Sequence, residues 1–470
     1  MKEVTSITSS PDAQMYMHIQ SNWSDSDQSC WLDVYKRDVR IVASSVHEDA
    51  QNKRLVAEAQ CTPSSHYDLP LSAASAARPE SHLPQIVGRE SFWVDVEVNC
   101  QTNTSSKKLR TVFQAPNETV NMPMSTDIGP VGIPAIQLYT LDLSKNERYV
   151  IVGGADGFCM LWDYQNRTQM LPLKGHVADV TCTRFFPSSQ VVLTGSLDFT
   201  LRIWSISGHC AAVLKGHQGG VQDVVVIGRG RNVLSCGTDG LIQLWNCGTQ
   251  NVVARWANDD QSPVHCLSIM EDNTQLLVED KTQINTSENE VETDGKVFFA
   301  GLDNGETLGV DVRARGAVGL DRKMNDWVFT SILNLEGLAG SIVSCATTSA
   351  PVSQPMLFTG SEDGLLTIWD LRHPGAPLQT LSRSSATIHS IKYSTQSGHD
   401  STSVGSIWTA HGDGACCKWS NLSIKPYVST DLTGPHYDAV RGVATGDQSG
   451  RVYSACRDGN LREYMPRVIS

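Results

Sequence analysis

An aspartate followed six residues later by an aromatic recurs at Asp156/Trp162, Asp198/Trp204, Asp239/Trp245, Asp363/Trp369, Asp413/Trp419 and Asp458/Tyr464. A seventh copy, around Asp303 in AGLDNGETLGVD, keeps the turn but has Gly309 where the aromatic is expected. Successive aspartates lie 42, 41, 64, 60, 50 and 45 residues apart. A period near 40–45 residues with four short strands per unit is the pattern of a β-propeller blade. The clearest unit reads as DVTCTRFF, QVVLTGS, TLRIWS and CAAVLKG, with turn residues between the strands. The expected fold is all-β, a propeller of seven blades.

LKGH at 173–176 and again at 214–217 opens a unit whose turn aspartate lies 22 residues after the histidine. Within one blade the His176 imidazole, the Asp198 carboxylate, the Ser196 hydroxyl and the Trp204 indole are expected to form a hydrogen-bonded chain. Each is a polar group that the blade desolvates, and a buried polar group needs a partner. His217, Asp239 and Trp245 repeat the pattern without the hydroxyl, since Gly237 stands in its place; Ser361, Asp363 and Trp369 repeat it without the histidine. A catalytic triad occurs once per site, with an exposed nucleophile beside an oxyanion hole. A Ser–His–Asp set that recurs in fragments and ends on an indole reads instead as a structural device, so no catalytic residue is assigned and no enzymatic activity is expected.

The last unit supplies only VRGVATG, RVYSACRDG and LREYM. A ring left with an unpaired edge invites further pairing. Residues 1–134, of different character, are therefore read as an extension that provides the closing strand of the propeller at 135–470. LRTVFQ at 109–114 is the nearest candidate and FWVDVEV at 92–98 the other. The fourth unit carries an insertion at 271–295 with eight acidic residues and one lysine, whose outer part is expected to be a solvated loop.

A net charge of −13 argues against a phosphate-backbone partner, which demands clustered Lys and Arg, and favours a basic protein surface. The 13 cysteines include no C-x-x-C pair, so they read as reduced, mostly buried thiols; neither a metal site nor a cofactor is expected. The N-terminus lacks the apolar core of a signal peptide and no run approaches the length of a membrane span, which points to the cytosol or nucleus.

HIQSNWSDSDQSCWL, GHVADVTCTRFFPSSQVVLTGSLDFTLRIWS, KGHQGGVQDVVVIGRGRNVLSCGTDGLIQLWNCG and VYSACRDGNLREY resemble the proteasomal ATPase-associated factor family of WD-repeat proteins. RFFPS followed by RGRNV in the next blade is more specific than the generic repeat. The resemblance implies a WD-repeat propeller acting as an assembly chaperone of the proteasome regulatory particle. It also implies binding of an ATPase subunit of the base through that subunit's C-terminal small domain, which delays docking on the proteolytic core. Asp179, Asp223, Asp259, Asp260, Glu362 and Asp438 are expected to line one rim of the ring as a negative binding surface, with Tyr437 as an aromatic anchor. The rival expectation is a substrate receptor of a cullin-type ubiquitin ligase, docking through the W-D-x-R run at 369–372 with Arg372 as the contact.

Overall fold

Every repeat folds into an antiparallel meander whose first strand lies at the ring axis and whose last lies at the periphery. In the computed structural model the seven meanders begin at Leu138, Val180, Val221, Val264, Ile342, Ile388 and Val440. The structure describes most of residues 107–465, apart from 123–135, 167–169, 258–260, 271–288, 314–339, 349–353, 373–376, 395–404, 424–425 and 436. Upstream it describes only the strand segments 14–19, 29–43, 55–70, 85–87 and 91–98. Each inner strand touches the next, and the last (Val440–Thr445) touches the first (Leu138–Leu143), so the ring is closed. The fourth sheet has three strands among the described residues.

Close approach between blades explains the small residue near the end of the second strand. A Cβ added to Gly195 would lie 2.7 Å from Val221 Cγ1 of the next blade. The same holds for Gly153 against Val180 (2.6 Å), Gly301 against Ile342 (2.6 Å) and Gly360 against Ile388 (2.8 Å). Polar groups on the inner strands reinforce these seams. Thr181 Oγ1 donates to the Val221 carbonyl and Ser344 Oγ to the Ile388 carbonyl, both at 2.6 Å. The Asp142 carboxylate accepts the Phe185 N–H at 2.8 Å, and Asp223 accepts the Leu267 N–H at 3.0 Å.

The closing strand is neither of the two sequence candidates. Glu118–Asn121 pairs antiparallel with Asn460–Tyr464 and completes the seventh blade. Lys107–Gln114 instead adds in parallel to the outer strand of the sixth blade, Tyr427–Leu432, and Ser91–Val98 pairs with it in turn. The chain turns through Ala115–Asn117 to pass from one blade to the next. The turn is held where Asn117 N–H donates to the Glu463 carbonyl at 2.8 Å and Gln114 Nε2 to the Met465 carbonyl at 2.6 Å.

One further expectation is revised. In the fourth blade the turn residue equivalent to Asp198 is Asn304, not Asp303. Asn304 Oδ1 accepts the Glu306 N–H at 3.0 Å, as Asp198 Oδ1 accepts the Thr200 N–H at 3.0 Å. The aromatic position is accordingly Val310, opposite Phe298, rather than Gly309. The outer part of the acidic insertion, expected to be a solvated loop, lies outside the described residues, and its end is packed. Asn232, fully buried, donates to the Asn289 carbonyl at 3.1 Å and accepts the Val291 N–H at 2.7 Å, and Glu292 pairs with Arg229 at 2.6 Å. RGRNV thus seats the insertion, and its Gly230 leaves room for Phe186 of RFFPS.

Met122, 2% exposed, anchors the closing segment in a cluster with Leu138, Tyr453 and Leu461 across the seam between the last blade and the first. Met122→Ala is expected to cost about 2–5 kcal/mol of stability in denaturant unfolding. A variant as stable as the parent contradicts this closure.

Candidate functional site

Strand register determines which loops share a face. Val180 pairs with Ser196, Val221 with Gly237, Ile342 with Ser361 and Val440 with Cys456. The start of each inner strand therefore adjoins the end of its second strand. The loop entering a blade and the turn between its second and third strands emerge together, on one face of the ring.

In blade two this loop and turn are tied by the expected network, with one correction. His176 Nδ1 lies 2.8 Å from Asp198 Oδ2, but its Nε2 meets Thr194 Oγ1 at 2.8 Å, and Trp204 Nε1 donates to the same hydroxyl at 2.9 Å. The relay is Thr194, not Ser196. Ser196 donates to the Ala178 carbonyl at 2.9 Å and accepts the Asp198 N–H at 3.1 Å, which shapes the turn. A neutral imidazole satisfies the whole chain: indole N–H to hydroxyl, hydroxyl to Nε2, Nδ1–H to carboxylate. Burial lowers the His176 pKa against the opposing pull of Asp198. Burial alone would raise the Asp198 carboxyl, yet hydrogen bonds from Thr200 and His176 outweigh it and hold it below the ordinary range.

Blade three repeats the arrangement with a hydroxyl that the sequence reading had denied it. His217 Nδ1 is 2.9 Å from Asp239, while His217 Nε2 and Trp245 Nε1 share Ser235 Oγ at 2.7 and 2.8 Å. Gly237 is irrelevant to the relay. Trp369 likewise donates to Thr359 (3.4 Å) and Trp419 to Thr409 (3.0 Å). In all four the hydroxyl stands ten residues before the indole, a constant spacing that would have identified it. In blade one Val152 occupies that position, and the buried Trp162 N–H has no hydrogen-bond partner among the described residues. Ser361 serves its turn by accepting the Leu365 N–H at 3.1 Å, and Asp363 is exposed there.

In blade six an arginine makes the tie. Arg383, 4% exposed, bridges Asp431 at 2.8 Å and the blade-six turn residue Asp413 at 3.4 Å; in blade seven the turn residue Asp458 pairs only locally, with Arg462 of the strand that follows it. Burial and the neighbouring Arg383 hold the His411 pKa down to about 4, while burial and Arg441 bring His389 to about 3, so both are neutral at physiological pH.

The proposed rim divides. Glu362, Tyr437 and Asp438 are exposed on the loop face, Tyr437 at 65%. Asp179 is there too, partly buried, and accepts the Asp156 N–H at 3.0 Å. Asp223 does not belong to the rim. It lies on an inner strand, where it pairs with Arg184 at 3.0 Å and takes the Leu267 N–H, a link between blades. Asp259 and Asp260 lie outside the described residues. Arg372 of the W-D-x-R run is exposed and pairs with Asp370 at 2.9 and 2.6 Å. The buried thiols Cys159 and Cys182 are pushed up to about 12 by desolvation, in keeping with cysteines that act as small apolar residues. No group of three or more potential metal ligands occurs among the described residues.

The model of the WD domain, G-beta repeat, matches residues 135–163, 167–205 and 208–246, within the first three blades. The chain is a WD-repeat propeller. It is 29% identical over 238 residues to the 26S proteasome regulatory subunit RPN14 of Saccharomyces cerevisiae, covering 49% of this chain and 52% of the yeast one. It is 25% identical over 280 residues to the DENN domain and WD repeat-containing protein SCD1 of Arabidopsis thaliana, covering 59% of this chain and 21% of that one. It is 26% identical over 241 residues to mouse Jouberin, covering 50% and 20% respectively. The chain thus spans about half the length of the yeast relative and about a fifth of the other two.

Thr194→Val removes the one atom that both His176 and Trp204 need, and is expected to cost about 1–3 kcal/mol. Ser196→Ala, which loses a turn contact, is expected to cost about 0.5–1.5 kcal/mol. Urea unfolding of the two variants in parallel checks the order. A larger loss for Ser196→Ala would reinstate the original assignment.

Proposed function

We propose that this WD-repeat protein-binding module is an assembly chaperone of the proteasome regulatory particle, holding an ATPase subunit of the base through its loop face. The observation that carries the reading is the similarity to yeast RPN14, which covers about half of each chain. Relatives matched over only a fifth of their length share the repeat and offer no such correspondence. The charge distribution supports the same partner class. Asp179, Glu362 and Asp438 stand on the loop face of blades two, five and seven, with Arg457 exposed on the blade-seven turn, and an excess of acidic over basic charge speeds encounter with a basic partner and makes it salt-sensitive. Tyr437 beside Asp438 supplies an aromatic body that can be buried at such a contact. The bound subunit is held apart from the proteolytic core while the base assembles.

The test is affinity for purified proteasomal ATPase subunits as a function of salt. In the triple variant Asp179→Asn, Glu362→Lys, Asp438→Lys, the asparagine keeps the acceptor for the Asp156 N–H. Affinity is expected to fall by about tenfold, from charge pairs of about 0.2–1 kcal/mol each and the repulsion that reversal adds. Its melting temperature is expected to stay that of the parent. Unchanged affinity would remove the acidic rim as the binding surface.

A further inference from the structure

The turn between the second and third strands ends on the same backbone conformation in every blade, although blade one reaches it through a 3-10 turn with Asp156 itself at positive φ (55°), and one blade differs in the residue used. The residue after the turn aspartate or asparagine takes positive φ and is glycine in six blades: Gly157 (75°), Gly240 (71°), Gly305 (87°), Gly364 (76°), Gly414 (88°) and Gly459 (82°). In blade two it is Phe199, at φ 67°. Its N–H bonds the Ser196 carbonyl at 3.2 Å, as that of Gly240 bonds Gly237 at 3.2 Å, so the turn itself is unaltered. A bulky residue in the left-handed region is an outlier that persists only where its surroundings impose it. Here the imposition is visible: Asp198 is fixed by His176, by the Val177 N–H at 3.2 Å and by the Thr200 N–H and hydroxyl at 3.0 and 2.6 Å.

The strained ring does not pack into the blade. Phe199 is 47% exposed, and beside it Val177 and Leu197 are 84% and 37% exposed. Val177 and Phe199 flank the same carboxylate, and Leu197 leans over Gly220, to within 2.5 Å of where a Cβ would stand. The equivalent three positions in blade three are Gln218, Thr238 and Gly240. Blade two therefore carries a local apolar surface that its own fold does not use, at the cost of backbone strain. On its blade-three side Leu197 covers the buried Gly220 and Thr238 stands against Gly219, and Asp156 and Asp179 border its blade-one side. Lys174 and Lys215 stand farther out, near the ends of the outer strands.

We propose that Phe199, flanked by Val177 and Leu197, is the apolar anchor of the loop face and seats in a hydrophobic pocket of the proteasomal ATPase subunit, with basic side chains of that subunit over Asp156 and Asp179. The inference rests on the partner reading above and adds to it where binding is centred. Aromatic anchors surrounded by weaker polar contacts dominate interfaces of this kind. The acidic border selects a basic rim around the pocket.

Phe199→Gly separates this role from a structural one, because the two predict opposite changes. Glycine relieves the positive φ, so the full-length variant is expected to melt at the same temperature as the parent or higher. Its affinity for the ATPase subunit is expected to fall by about tenfold or more, the range of an interface hot spot. Each purified proteasomal ATPase subunit is titrated in turn with the parent, with Phe199→Gly and with the triple acidic variant. Phe199→Gly binding as tightly as the parent, while the acidic variant is impaired, overturns the anchor and leaves the partner reading standing. Phe199→Gly losing stability along with affinity would make the ring a structural element and also overturn it. A parent that binds no ATPase subunit overturns the partner reading and the anchor together.

Discussion

The architecture depends on how closely neighbouring blades approach at the ring axis. A β-branched residue at the start of each of four inner strands (Val180, Val221, Ile342, Ile388) fills the space left by a glycine in the preceding blade. Any side chain there would push the two sheets apart and open the ring. Donors on the inner strands, such as Thr181 and Ser344, use the same proximity to satisfy carbonyls of the next blade. Asp223 belongs to this system. Bound to Arg184 and to a backbone N–H of the following blade, it links three inner strands and is committed to holding the ring.

With the inner strands fixed, the loop face follows. Buried hydroxyls at Thr194 and Ser235 connect each imidazole to an indole, and the imidazole in turn grips the turn aspartate. Where the histidine is missing, Arg383 performs the same mechanical task by pairing with Asp413. Different chemistry thus yields one outcome, a loop anchored to a turn. A rigid base of this sort lets residues beyond the network, including Glu362, Tyr437, Asp438 and the strained Phe199, present themselves in fixed positions without having to contribute to folding.

Much of this was legible from the chain. The recurring aspartate and aromatic gave seven blades, and the histidine spacing gave the pairs His176/Asp198 and His217/Asp239. The relay hydroxyl was misassigned because Ser196 and Thr194 lie two residues apart on the same side of the strand. Only register distinguishes them: Trp204 is opposite Val192, which makes Thr194 its diagonal neighbour and leaves Ser196 at the turn. The closing strand escaped notice because Glu118–Asn121 is four residues long and shows no hydrophobic alternation, whereas the more strand-like segments before it pair with another blade. Asp223 looked like a rim acid because sequence does not reveal that Arg184 of the adjacent strand faces it. Phe199 stands out as the one turn position without glycine only once register moves the fourth-blade turn residue to Asn304, and its meaning required knowing that the ring is exposed.

Hydrogen exchange of the full chain, alone and with a saturating proteasomal ATPase subunit, tests most directly whether the anchored loops form the working surface. The account predicts slowed exchange confined to the loop face, at residues 176–179, 196–199, 218–220, 361–363 and 437–438, with none at the turns 146–149 and 448–451 on the opposite side. Protection of those opposite turns, with the loop face unchanged, would contradict it.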